Sequence, residues 1–249
     1  MPPPLPRGLL FLASLWLIAS WTLSIGIRPP LQPSSASYTP GVRSMLLCTT
    51  IGLTIAWPML RLSQARCAQS IRRTLLDLAV LVALVQVVVW PLRLVTPWSV
   101  ARTLAVDGTL VAWTALAGAI VAVGSRFRAR GRTLTMASIL ALVLAVPLVE
   151  HVGRELLRPT SHGAASDEDD AAEWPVAAAF TRLSPVTAIH ALTGGGPARP
   201  ESTDRISLAT AAFAAFVAWI AVGLGELARL IVPSSAGRLD GAPGGATSG

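Results

Sequence analysis

Lysine and asparagine are missing from the 249 residues, and all 20 basic residues are arginine, the signature of a GC-rich coding bias and not of a particular chemistry. Charge of either sign is scarce: 13% of residues are charged, where an ordinary soluble domain has roughly 25%. With 53% hydrophobic residues and a mean hydropathy of +0.60, a water-soluble globule is excluded. Cysteine is nearly absent too. Cys48 sits in an apolar run and Cys67 in a basic loop, at different expected depths, so no disulfide framework holds the fold. The pI near 11.3 would suggest nucleic acid in a soluble protein. Here the arginines punctuate apolar segments instead of collecting on one domain, which makes them topology markers and leaves no nucleic-acid surface.

What is abundant is long apolar sequence. A hydrocarbon core about 30 Å thick takes around 20 helical residues at 1.5 Å each. Six runs meet that length, at approximately 8–27, 43–62, 74–95, 104–125, 134–152 and 207–232. The first exceeds the roughly 7–15-residue core of a signal peptide and lacks a small-residue cleavage site, so it reads as an uncleaved span. The expectation is an all-α polytopic membrane bundle of six transmembrane helices. Its parts are a five-span region at 1–152, an extracytoplasmic loop at 153–206, the sixth span at 207–232 and a disordered cytoplasmic tail at 233–249. With the N-terminus inside, 11 arginines lie on the inner side and only Arg28, Arg43, Arg93 and Arg102 in the short outer loops. The positive-inside rule then places both termini in the cytoplasm of a bacterial-type cell, with the chain in its cytoplasmic (inner) membrane. The long loop has five further arginines and the acidic "DEDD" at 167–170, and long loops cross largely regardless of charge.

Two stretches repeat a phrase: "WPMLRLS" at 57–63 and "WPLRLVT" at 90–96. Both close a span, on opposite membrane faces, so they cannot form one pocket. Trp57, Arg61, Trp90 and Arg93 are expected as interface anchors, with Trp at the headgroups and Arg snorkelling to water. Each proline removes an intrahelical bond, freeing the carbonyls of Thr54 and Val87. In the third span Ala79, Ala83, Gln86, Trp90 and Arg93 form a mixed stripe expected to face protein. Asp107, Thr114, Gly118 and Ser125 form one in the fourth, and Thr50, Thr54, Trp57 and Arg61 in the second. In the sixth, Ala211/Ala215 and Ala214/Ala218 allow close helix approach. Gln86 is the deepest strongly polar side chain. It is expected to bond the fourth-span stripe, or with Asp107 and Thr114 to line a polar pathway. Helical spacing assigns Asp77 to Arg73, Glu150 to Arg154 and Glu226 to Arg229.

Catalytic and cofactor patterns are wanting. His151, His162 and His190 all fall at the outer edge or in the outer loop, so no span offers a bis-His haem site. No His-Glu-x-x-His motif, cysteine-rich metal pattern or Walker motif occurs, and "GGGP" at 194–197 is a turn. The expectation is a non-enzyme with no cofactor and no metal.

The outer loop contains "EWPVAAAFTRLSPVTAIHALTGGG" at 173–196, expected as two short helices, about 176–183 and 185–192, that lie on the bundle or re-enter it. Six spans, inner termini and two short helices before the last span resemble the permease subunits of type-2 ABC exporters. "LSPVTAIHAL" at 183–192 is similar to a phrase met before their last span. The resemblance implies a dimeric transport permease driven by a separate ATPase subunit. The competing expectation is a non-catalytic scaffold or accessory protein that binds a partner through its outer loop.

Overall fold

A computed structural model describes residues 7–27, 34–64, 70–156, 184–194 and 202–231, and every element among them is helical. In chain order they are α1 (Arg7–Trp21), α2 (Ser35–Ile51), α3 (Trp57–Ser63), α4 (Ser70–Leu92), α5 (Val100–Gly124), α6 (Ala129–Leu156), α7 (Pro185–Gly194) and α8 (Ser202–Ile231). Wide π turns follow α1 (Thr22–Gly26) and join α2 to α3 (Gly52–Ala56). Five helical segments are long and apolar enough to cross a membrane: Arg7–Gly26, Ser37–Ser63, Ile71–Leu92, Val100–Gly124 and Asp204–Ala228. The chain is a multi-pass membrane protein. The expected fifth span falls within α6, a continuous helix of 28 residues. The expected helix at 176–183 and the tail at 233–249 lie outside the described residues.

Local chemistry sets several boundaries. α2 begins well before the expected 43 because Ser34 and Ser37 form a capping box, each hydroxyl accepting the other's backbone N–H at 3.2 and 3.0 Å. Pro58 has no N–H for the Thr54 carbonyl, and the ladder widens just before it, with the Trp57 N–H reaching the Gly52 carbonyl. Gly52 has a second role there. The Trp16 indole packs where its Cβ would be and donates to the Cys48 carbonyl at 3.1 Å, tying α1 to α2.

α5 is the hub. Sixteen of its residues are buried, and α3, α4, α6, α7 and α8 all pack on it. α8 runs parallel to it, pairing Leu208 with Gly108, Ala211 with Ala112 and Trp113, and the Trp219 indole with the Ala115 carbonyl at 2.9 Å. Ala211 and Ala215 are buried in that seam, where small residues let two backbones approach. α4 runs antiparallel, and Leu78 packs where a Gly118 Cβ would come within 2.6 Å of its Cδ1.

One expectation about α4 fails. Its buried face is Leu78, Leu81, Val85, Val89 and Leu92, while Ala79, Ala83, Trp90 and Arg93 are exposed and Gln86 lies half-buried at the edge. Lipid tails are as apolar as leucine, so polarity does not select the packed face; interlocking shape does. Branched side chains fill the groove opened by Gly118 better than alanines would.

α7 lies inside the bundle between α2, α5 and α6, with Pro185, Ala188, Ile189, Leu192 and Thr193 buried. Its attachment has a simple cause. Pro147 within α6 lacks the N–H that the Val143 carbonyl would accept from, and the Ser184 hydroxyl donates to that carbonyl at 2.7 Å. The same oxygen accepts from the Val186 N–H at 3.3 Å, capping α7. Val143 is midway along α6, so α7 starts deep in the bundle. It then runs outward to Thr193, whose hydroxyl accepts from Arg43 Nε of α2 at 3.3 Å. Ser184→Ala should cost about 1–3 kcal/mol by orphaning a buried carbonyl. In a Pro147→Ala background, where the helix supplies its own N–H, the cost should fall by about half, leaving the lost cap; thermal unfolding in detergent reads both.

Candidate functional site

Each Trp-Pro stretch is followed, one helix later, by a carboxylate. At the end of α4 the Trp90 indole N–H donates to Gln86 Oε1 at 2.7 Å. Indole can only donate, so the amide oxygen faces Trp90 and the NH2 group faces away. That group donates to both oxygens of Asp107 on α5, at 2.9 and 3.0 Å. The three residues form a chain of donors ending on a carboxylate that is 8% exposed. Asp107 forms no ion pair among the described residues. Gln86 lies six residues before the end of α4, about 9 Å along the axis, so the cluster is nearer that end of the bundle than its middle.

Thr114 is buried two turns further along α5, but its hydroxyl bonds its own helix, at the Leu110 carbonyl, 2.6 Å away. Thr50 and Thr54 do the same, at 2.7 Å each. In hydrocarbon a threonine can satisfy itself on the preceding turn. The structure therefore joins Gln86 to Asp107 and leaves Thr114 out of the hydrogen-bonded chain.

The first Trp-Pro stretch is built differently. Trp57 is buried at 4% exposure, facing protein and not the headgroups. Arg61, one turn on, places Nε 3.2 Å from Asp77 Oδ2 on α4. Two expectations are corrected here. Trp57 and Arg61 are not a free anchor, because α5 and α6 pack on α3 and Asp77 of α4 meets the Arg61 guanidinium. Asp77 pairs with Arg61 across helices and not with Arg73, which is exposed on its own helix; an enclosed carboxylate gains more from an enclosed cation than from a solvated one. Trp90 and Arg93, by contrast, are both exposed at the far end of α4.

Arginines missed by spacing arguments tie helix ends together. Arg126 pairs with Glu226 of α8, which spacing had assigned to Arg229. Arg132 donates to the Leu62 carbonyl at 3.2 Å and to that of Gln64, capping the C-terminus of α3. The only signal for these was the crowd of arginines at 126–132, which names donors without naming acceptors. The side chains of Glu150 and Arg154 lie outside those described. Among the described residues no group of three His, Cys, Asp or Glu side chains could hold a metal ion.

Comparison with protein-family models, with curated proteins and with solved structures returns no match.

Asp77→Leu should leave Arg61 uncompensated in an enclosed site and cost about 3 kcal/mol, whereas Arg61→Leu with Asp77→Leu should cost far less. A double-mutant cycle on thermal stability measures the difference.

Proposed function

We propose that this chain is the membrane-spanning permease subunit of a transporter, with six spans, both termini cytoplasmic, working as a pair of copies in a bacterial cytoplasmic membrane. The observation that carries the reading is the Gln86–Asp107 contact: a buried carboxylate between two spans, met by a neutral amide and, among the described residues, in no ion pair. Such a group favours partners that bring protons or positive charge. Intramembrane ionisable groups without structural neutralisation mark pathways more than scaffolds. α6, about 42 Å long at 1.5 Å per residue, supplies the sixth crossing. α7, entering the bundle from the outer connection, supports the same reading, since irregular backbone at membrane depth is tolerated where it lines or plugs a cavity. The chain has no Walker motif, so the energy comes from a separate ATPase subunit, as the resemblance of layout and of "LSPVTAIHAL" implies.

Affinity purification in mild detergent should recover a nucleotide-binding subunit. Asp107→Asn should then reduce ATP turnover of that complex at least tenfold while moving the unfolding midpoint by only a few degrees. Recovery of a different stable partner, with no nucleotide-binding subunit, would favour the scaffold. Loss of stability with turnover per folded complex unchanged would make the Gln86–Asp107 contact structural glue.

Orientation is checked separately. In a Cys48→Ala background, Cys67 should resist an impermeant maleimide on intact cells until the membrane is opened, and an added Ser166→Cys should label at once. The reverse pattern would overturn both the orientation and the placing of the loop.

A further inference from the structure

A buried donor in this bundle lacks an acceptor at a place where two acceptors have lost their donors. Trp113, midway along α5, is 7% exposed, and its indole N–H has no hydrogen-bond partner among the described residues. Indole nitrogen can only donate, and an unmet donor away from water is costly. Trp113 lines a small cavity between α5, α6 and the wide turn that joins α2 to α3. Thr54 and Val143 line it too. The backbone carbonyl of Thr54 receives no N–H from Pro58, and that of Val143 none from Pro147. The Thr54 hydroxyl already donates to the Thr50 carbonyl at 2.7 Å. Ser184 meets the Val143 carbonyl at 2.7 Å, and a carbonyl oxygen has a second lone pair. The other lining side chains are apolar, Ala117 being the smallest.

The centre of a water-sized sphere has ≈ 10 Å³ to occupy there, which is room for one water. We infer that the cavity binds a single structural water, which accepts from the Trp113 indole N–H and donates to the Thr54 and Val143 carbonyls. Three hydrogen bonds are typical of a buried water, and these three use both of its protons. The water then does among α2–α3, α5 and α6 what Ser184 does between α6 and α7. The site shares no residue with the Gln86–Asp107 cluster and rests on neither the permease nor the scaffold reading.

Nuclear magnetic resonance of the full-length chain in detergent micelles, isotope-labelled at its indole nitrogens, tests it, with the Trp113 signal assigned by its loss in Trp113→Phe. The Trp113 N–H proton should show a dipolar cross-peak to a long-lived water. Ala117→Leu, which fills the cavity, should erase that cross-peak. Where this variant fails to fold, thermal unfolding of Trp113→Phe, Pro58→Ala and the double variant replaces it. Pro58→Ala gives the Thr54 carbonyl an N–H of its own helix, so both substitutions act on the same water and the double variant's shift in midpoint should depart from the sum of the single shifts. Absence of the cross-peak in the native chain, the mark of a dry void or of a direct bond to a carbonyl, would overturn the proposal. So would a cross-peak that survives in folded Ala117→Leu, or additive shifts in the double variant.

Discussion

A polar group carried into hydrocarbon needs its partner within the protein, and the shape of this bundle follows largely from how several of them find one. The Val143 carbonyl is the clearest case. Pro147 frees it in the middle of α6, where hydrocarbon offers no donor to repair the loss. Ser184 repairs it, and in doing so fixes where α7 starts. A defect in one helix thus specifies the position of another that is 41 residues away in sequence. Because α7 fills the space between α2, α5 and α6, the same hydrogen bond helps decide how far those helices stand apart.

Threonine and tryptophan show two other solutions. Thr49, Thr50, Thr54, Thr109 and Thr114 all return their hydroxyls to the carbonyl one turn back, which makes them internally satisfied and sterically small. They line helix seams without linking helices. Trp16 and Trp219 do link helices, since the long indole carries its N–H past its own backbone to a carbonyl of a neighbour, Cys48 or Ala115. Each link requires the neighbour to come close. Gly52 permits it at the first contact, and at the second the seam is held close by Ala211 and Ala215.

This division explains what could be read from the sequence. Apolar length and arginine placement were enough to locate the long helices, because the bilayer imposes a length and that length is one-dimensional. The Ala211/Ala215 seam was legible because small residues four apart are a packing motif in themselves. The stripe on α4 was misread because a mixed stripe looks functional, whereas the leucine and valine stripe beside it has the better shape for Gly118. The partners of Asp77 and Glu226 were misassigned for a related reason. Spacing along one helix suggests the nearest cation in sequence, and enclosure between helices selects Arg61 and Arg126, which sequence distance cannot reveal. Ser184 was legible as a helix cap, but not as the donor to Val143.

The two Trp-Pro stretches end up asymmetric in a way that bears on function. Both precede a helix with an enclosed acid. Asp77 has a guanidinium at 3.2 Å and belongs to a group of arginine contacts that hold helix ends together. Among the described residues Asp107 has only an amide, itself oriented by Trp90. A bundle seeking stability alone gains little from that second arrangement. Desolvating a carboxylate costs several kcal/mol, and a hydrogen bond from a neutral donor returns only about 1–3. A pair of leucines at 86 and 107 would pack without either term. That balance is what supports the proposed reading of the contact as a site for a ligand that brings positive charge or a proton, and not as part of the frame.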